Sequence, residues 1–212
     1  MIQQEFYQKI KKRLTAGTLL EREPMSKHTS FRIGGPADIF VQPADVDELW
    51  DVIRLAREEK VPFFIVGNGS NLLVSDEGFR GMILHTGGLR DISVEGEVIY
   101  AQAGALLSSV ARQALEHGLT GMEFAAGIPG TLGGAVCMNA GAYGGEMKDI
   151  LMDVEVLTPE GERLVLPVEE LELSYRHSVI FEKDYVVLAA HIRLSWGDKT
   201  QIRDRMDDLA GA

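Results

Sequence analysis

Two runs of small residues hold the clearest capacity for chemistry in this chain. VGNGSN occupies residues 66–71, and AGIPGTLGG, at 126–134, opens a longer run, GIPGTLGGAVCMNAGAYGG, that reaches residue 145. Glycine loses the most backbone freedom on folding and gives a core nothing to pack, so such a run is not expected inside a packed helix or strand. Small residues do let a ligand come close to the backbone, where successive N–H groups form a concave cradle for anions without any charged side chain. A phosphate-bearing ligand fits that chemistry. Either loop alone reads equally well as an ordinary turn, but the two follow apolar segments in separate α/β units and together favour a site. The lack of GK[ST] after the glycines excludes a P-loop. A Rossmann fingerprint is also poor, because GNGSNLLVSD has no third glycine in register and runs into β-prone LLVS.

The elements that must position these loops alternate in type. ADIFVQP reads as a strand, and DVDELWDVIRLAREEK as a helix with Val46, Leu49, Trp50, Ile53 and Ala56 on one face, Asp45 as cap and Glu48 placed to complete a capping box. VPFFIV, LLVS and GMILH read as further strands, with GNGSN a turn among them. A second unit begins near TGGLRDI. It has EVIYAQ as a strand and ALLSSVARQALEHG as a helix burying Leu106, Leu107, Val110, Ala114 and Leu115. After the glycine run, LMDVEVLT and ERLVLP form a hairpin about Pro159, Glu160 and Gly161, DYVVLAAHIRLSW is the last long strand, and DKTQIRDRMDDLAGA forms a helix through Ile202, Met206 and Leu209 with little apolar surface to hold it. At the other end, Ile2, Phe6, Ile10 and Leu14 stand at helical intervals, and an amphipathic helix is expected there instead of a signal peptide.

Composition narrows the partners. The 212 residues are 45% hydrophobic and 25% charged, as in ordinary globular proteins, and 21 basic against 32 acidic residues give a net charge of −11. Nucleic acid and anionic membranes are therefore not expected partners. Amide dipoles at contact can still hold a phosphate, since distant surface charge is screened. The longest apolar stretches are too short to span a bilayer, and a cytoplasmic location is expected. Cys137 is the only cysteine and reads as a small buried filler, so no intrachain disulfide can form. His28, His85, His117, His177 and His191 lack metal-ligand spacing, and no metal is assigned.

HTSFRIGGPADIFVQP (28–43), VGNGSNLLVSDEGFRG (66–81), GIPGTLGGAVCMNAGAYGGEM (127–147) and SYRHS (174–178) closely resemble the UDP-N-acetylenolpyruvoylglucosamine reductase (MurB) family, in the family's order and over nearly the whole chain. The resemblance implies an α+β / α/β flavoprotein of the PCMH-type, vanillyl-alcohol-oxidase-like fold, with noncovalent FAD held between two α/β subdomains. With the helices read above at the two ends, the expected divisions are an N-terminal helix in 1–20, the FAD-binding subdomains in 21–88 and 89–197, and a C-terminal helix or tail in 198–212. NADPH would reduce the flavin, and hydride would pass to the enolpyruvyl group of a UDP-sugar in peptidoglycan synthesis.

Carried over by motif, Gly67, Asn68, Gly69, Ser70 and Asn71 would wrap the FAD pyrophosphate. Gly127, Ile128, Pro129, Gly130, Thr131, Gly133 and Gly134 would approach it from the other subdomain, with Asn139 and Gly141 near the flavin end. Arg176 matches the family's catalytic arginine, whose guanidinium can hold the substrate carboxylate and stabilise a developing enolate. Tyr175 would support it by packing, while Ser178 would make a local backbone hydrogen bond. The family continues into a third domain that supplies a serine proton donor and a late glutamate. The chain ends at LAGA, and Ser174, Ser178 and Ser195 stand in the wrong context for that donor. The expectation is therefore a shortened piece or a reduced relative that is inactive in full turnover. A flavin-binding module without reductase activity, or another PCMH-type oxidase, remains the alternative.

Overall fold

The computed structural model describes residues 4–211. The chain divides between Leu89 and Arg90 into two compact units.

The first unit runs α1 (Gln4–Lys11), β1 (Thr18–Pro24), β2 (Pro36–Gln42), α2 (Val46–Glu58), β3 (Phe63–Val66) and β4 (Phe79–His85). Its sheet has the order β1-β2-β4-β3, with β1 antiparallel to β2 and the other pairs parallel. In β2, Ile39, Phe40 and Val41 are all buried, as in a strand covered on both faces. On α2 the buried stripe is Leu49, Val52, Ile53 and Ala56, one helical face, with Leu55 also buried. Val46 and Trp50, expected on that face, are only half-buried.

The N-terminal helix buries Phe6 and Ile10 but stops at Lys11, short of Leu14; Ile2 lies outside the described residues. Residues 18–20 belong to β1, so 1–20 is not one helix. Glu48 explains why the chain turns there. Asp45 caps α2 by accepting from the Glu48 N–H at 2.8 Å, yet the Glu48 carboxylate does not close the expected box. It accepts instead from the N–H groups of Ala44 (2.8 Å), Ala16 (2.8 Å) and Thr15, and from the Thr15 hydroxyl (2.8 Å). A Cβ on Gly17 would fall 2.5 Å from Glu48 Oε2, so glycine is what lets the turn close on the carboxylate. Burial opposes the charge, but these donors outweigh it and bring the Glu48 carboxyl down to about 2.

Residues 72–75, expected as a strand, are in no sheet. Leu72 and Val74 pack on the cluster of Met25, Ala37, Phe40, Val66 and Ile83, while the Ser75 carbonyl accepts from Gly35 and Gly78. A β-prone sequence is here used as a strap, because the neighbouring backbone that it meets is a loop.

The second unit begins with β5 (Ile92–Glu95), β6 (Val98–Gln102), α3 (Leu107–His117), β7 (Leu119–Thr120) and α4 (Leu132–Cys137). It continues with β8 (Gly141–Ala142), β9 (Gly145–Glu146), β10 (Leu151–Leu157), β11 (Arg163–Pro167), α5 (Val179–Glu182), β12 (Val186–Arg193), β13 (Ser195–Trp196) and α6 (Lys199–Ala210). Its main sheet, β11-β10-β12-β6-β5, is antiparallel throughout, and the β10–β11 hairpin forms as the turn residues predict. Alternation along β6 buries Ile99 and Ala101 in a core shared with Val110, Ala111 and Ala114 of α3 and Leu132, Ala135 and Val136 of α4.

Three details differ from expectation. Leu106 is exposed because it is the cap residue of α3, one position before the helical face begins. The long last strand breaks at Leu194, after which β13 pairs with β7. The tail helix α6 is joined to this unit: Asp198 caps it through Thr200 and Gln201, Ile202 is buried, and Met206 packs on the core. Among the described residues, no helix is long and apolar enough to cross a membrane.

Candidate functional site

In the first unit, residues 67–71 leave the end of β3. Gly69 is buried at φ +60°, and a Cβ there would fall 2.0 Å from the His28 carbonyl oxygen, so only glycine fits under that crossing strand of chain. Ser30 N–H donates to the Gly69 carbonyl at 3.3 Å. Asn68 and Asn71 are exposed, while Gly67 and Ser70 are half-buried. Beside the loop, the ring of His28 stacks on Phe40 at 4.1 Å, and His85 lies 5.8 Å from His28. Burial, and then the His28 charge, push His85 down to about 4 despite a hydrogen bond with the Gly67 backbone, so His85 is neutral at pH 7.

In the second unit the glycine run is not all loop. Gly133 and Gly134 lie inside α4, contrary to the expectation that a helix would reject them. The reason is close packing: the Gly133 N–H donates to the Ala103 carbonyl at 2.8 Å, and a Cβ on Gly133 would sit 2.9 Å from that of Ala103. The Leu132 N–H donates to Ala105 and the Gly130 carbonyl accepts from Leu107, which straps residues 130–133 to the start of α3. Gly127 is different. A Cβ on it would meet no atom within 4 Å. Thr131 Oγ1 is buried with no hydrogen-bond partner among the described residues.

Beyond α4 the chain turns at Asn139 (φ +40°) into the β8–β9 hairpin, whose tip residues Tyr143 and Gly144 both have positive φ, as a two-residue turn of this kind requires. A second tight turn carries Arg176. Ser174 and His177 exchange both backbone hydrogen bonds at 3.2 Å, leaving Tyr175 and Arg176 at the tip. Arg176, with Phe124, Gly127, Ile128, Pro129, Ala140, Gly141, Ala142 and Tyr143, lines a cleft of about 270 Å³. An adjoining cleft of about 210 Å³ shares Gly141, Ala142, Tyr143 and Arg176 and adds Asn139, Glu146 and Tyr175. No carboxylate among the described residues pairs with Arg176, whose guanidinium carbon lies 5.7 Å from the Tyr175 ring. A cation with no carboxylate partner among the described residues, beside a groove of backbone and small side chains, suits a ligand that brings its own carboxylate.

Residues 37–166 match the FAD binding domain family. The chain is 52% identical over 201 residues to UDP-N-acetylenolpyruvoylglucosamine reductase of Caldanaerobacter subterraneus subsp. tengcongensis, covering 95% of this chain and 67% of that one. This chain belongs to the UDP-N-acetylenolpyruvoylglucosamine reductase family. Its fold agrees with the crystal structure of the Thermus caldophilus enzyme, MurB, at a TM-score of 0.77 and 33% identity, over 91% of this chain and 67% of that one. Alkyldihydroxyacetonephosphate synthase shares the fold alone, at a TM-score of 0.68 and 16% identity over 92% of this chain and 44% of that one. The chain thus has a PCMH-type FAD-binding fold, and spans about two thirds of the length of the curated relatives it matches.

Within this MurB-family chain, the structure brings Gly127, Ile128, Pro129, Gly141 and Arg176 to one cleft. Gly130, Thr131, Gly133 and Gly134 continue from its edge into α4. The Asn139 amide is engaged with Glu146, Ser174 and Lys148. Tyr175 is 89% exposed, yet its ring lies under the Arg176 guanidinium at 5.7 Å, so it supports the arginine as expected, through a solvent-facing cation–π contact. Ser178 does bond to backbone, but the contact is long-range: its hydroxyl donates to the Cys137 carbonyl. Burial pushes the Cys137 thiol up to about 12, which keeps it protonated. Sequence reasoning missed Phe124, Ala140, Ala142 and Tyr143 as cleft residues; the GAYGG hairpin signal was available for the last two.

Proposed function

We propose that the chain is the FAD-holding part of an NADPH-dependent reductase that converts UDP-N-acetylenolpyruvoylglucosamine to UDP-N-acetylmuramate, a step of peptidoglycan synthesis in the cytoplasm. The single observation carrying this reading is Arg176, without a carboxylate partner among the described residues, on the wall of the cleft that Gly127, Ile128, Pro129 and Gly141 line.

The residues fit a noncovalent FAD. Gly127 leaves open space where a side chain would stand, and the buried, unpartnered Thr131 hydroxyl suits a phosphate oxygen as acceptor. In this reading Gly67, Asn68, Gly69, Ser70 and Asn71, with Gly127, Ile128, Pro129, Gly130, Thr131, Gly133 and Gly134, hold the pyrophosphate, and Gly141 stands near the flavin. Gly133 acts by letting α4 approach Ala103, since its N–H is already engaged. The chemistry that FAD would supply when held by these residues is hydride transfer, from NADPH to one alkene carbon of the enolpyruvyl group.

Arg176 would bind the substrate carboxylate through its planar fork of donors and stabilise the negative charge that spreads into it as an enolate. The neighbouring carbon then takes a proton. A positioned acid is worth about 10²- to 10⁴-fold, and among the described residues no serine lines either cleft, while Ser178 is buried and donates to Cys137. The polypeptide of residues 1–212 by itself is therefore expected to bind FAD and let NADPH reduce it, but to turn over slowly.

Anaerobic addition of NADPH to the FAD-loaded polypeptide, followed by the enolpyruvyl substrate with product identification by mass spectrometry, tests the proposal. Flavin reduction with slow, substrate-dependent reoxidation supports it. Reduced flavin that never transfers to the substrate favours a flavin-binding module without reductase activity, and UDP-N-acetylmuramate at ordinary enzyme rates contradicts the slow step.

A further inference from the structure

We propose that Asn139 is a positioning residue for Arg176, tying the end of the glycine-rich run to the turn that carries the arginine. This rests on the reading above, in which Arg176 binds the substrate carboxylate.

The Asn139 side chain is 4% exposed and fully engaged as a donor. Its Nδ2 donates to Glu146 Oε2 at 2.6 Å and to the Ser174 carbonyl at 3.2 Å, while its Oδ1 accepts from the Lys148 N–H at 3.0 Å. The Asn139 N–H donates to Val136 at 3.1 Å. No amide hydrogen is left for a flavin. The bond to Glu146 is charge-assisted, because hydrogen bonds from the Lys148 and Asn139 side chains hold the Glu146 carboxyl below its ordinary range.

Ser174 is the base of the arginine turn. Both of its backbone groups pair with His177, and Asn139 adds a third bond to the same residue across 35 positions of sequence. The tip's other restraint is internal to it, the Arg176 guanidinium lying 5.7 Å from the Tyr175 ring. Tyr175 is 89% exposed, and Arg176 itself sits at φ +55°, a conformation that bulky residues adopt only when their surroundings hold it. Among the described residues no ion pair fixes the guanidinium, so its place is set by the turn that carries it and by Tyr175 of the same turn, and the side chain bonded to the backbone of that turn from elsewhere in the site is Asn139.

Asn139 also has a positive φ, +40°, so Asn139→Gly removes the tether without straining the backbone, and Asn139→Asp keeps the shape but sets a carboxylate against Glu146 and the Ser174 carbonyl. The experiment compares these variants with Arg176→Ala and with the Asn139→Gly/Arg176→Ala double variant, all FAD-loaded, by calorimetric binding of two ligands. UDP-N-acetylenolpyruvoylglucosamine carries the carboxylate; UDP-N-acetylglucosamine does not.

Arg176→Ala should weaken the enolpyruvyl ligand about tenfold or more, as for loss of a hydrogen-bonded charge. Each Asn139 variant should show a similar loss, the double variant no further loss, and FAD retention and UDP-N-acetylglucosamine binding should stay unchanged. Additive losses, wild-type binding in both Asn139 variants, equal weakening of both ligands, or FAD lost from a folded Asn139 variant would overturn the assignment. If Asn139→Gly fails to fold, Asn139→Asp carries the same comparison. Wild-type enolpyruvyl binding by Arg176→Ala would instead overturn the functional reading, and this role with it.

Discussion

The hydroxyl of Ser178 donates to the carbonyl of Cys137 at 2.7 Å, joining the end of α4 to the segment just after the arginine turn. Ser178 is wholly buried, so its hydroxyl is a structural donor and not a proton source for the cleft. Ser178→Ala should lower stability by about 1–3 kcal/mol, the cost of a buried carbonyl left without its donor, and leave FAD affinity unchanged. Chemical denaturation and FAD titration of the variant measure the two separately. Unaltered stability with lost substrate reduction would show the opposite.

Glu48 sets an acid dependence far from the cleft. Its folded value, about 2, lies below its ordinary 4.5, so its stabilising effect is complete above pH 4.5 and is lost as the pH falls toward 2. Glu48→Gln should cost about 2 kcal/mol at pH 7 and flatten the stability profile in that window, because an amide NH2 then faces backbone donors. Denaturation midpoints at pH 7 and across the acid range give the answer, and parallel profiles for the two proteins would show that Glu48 does not carry the dependence.

Gly127 separates binding from folding. Since a Cβ there meets nothing within 4 Å, Gly127→Val should change stability by no more than about 0.5 kcal/mol. A branched side chain in the space reserved for FAD should nonetheless weaken FAD about tenfold or more. Thermal melts of the apoprotein and fluorescence titration of FAD decide it. Unchanged FAD affinity would remove Gly127 from the site.

Thr131→Val should act in opposite directions on the two states. An unpartnered buried hydroxyl does not stabilise the apoprotein, so a near-isosteric valine should leave apo stability equal or higher. If FAD phosphate is its acceptor, the same change should weaken FAD about fivefold or more. A destabilised apoprotein with full FAD affinity would mean that Thr131 serves the fold.

The elements that the sequence shows plainly are those whose signals are local. Asp45 caps α2, Leu107 to Leu115 repeat at helical spacing, and Pro159 to Gly161 turn the β10–β11 hairpin. What was hidden depends on partners distant in sequence. Residues 72–75 have β-prone side chains but meet a loop, Glu48 prefers the donors at residues 15–16 to its own cap, and Gly133 enters a helix because Ala103 lies against it. The same holds at the site. The glycine loops and Arg176 were legible as motifs, whereas the amide bonds of Asn139 to Ser174 and Lys148 required the fold to be seen.

The account turns on a pyrophosphate cradle, and a comparison of FAD with FMN tests it most directly, because FMN carries the flavin but lacks the pyrophosphate bridge and the adenosine. Apoprotein should be titrated with each flavin, and the bound flavin then released by heating and identified. The account predicts one intact, noncovalent FAD per chain and an affinity for FMN lower by roughly 100-fold or more, as expected when several charge-assisted phosphate contacts are lost. Equal affinity for FMN, or a chain that takes up neither flavin, would contradict it.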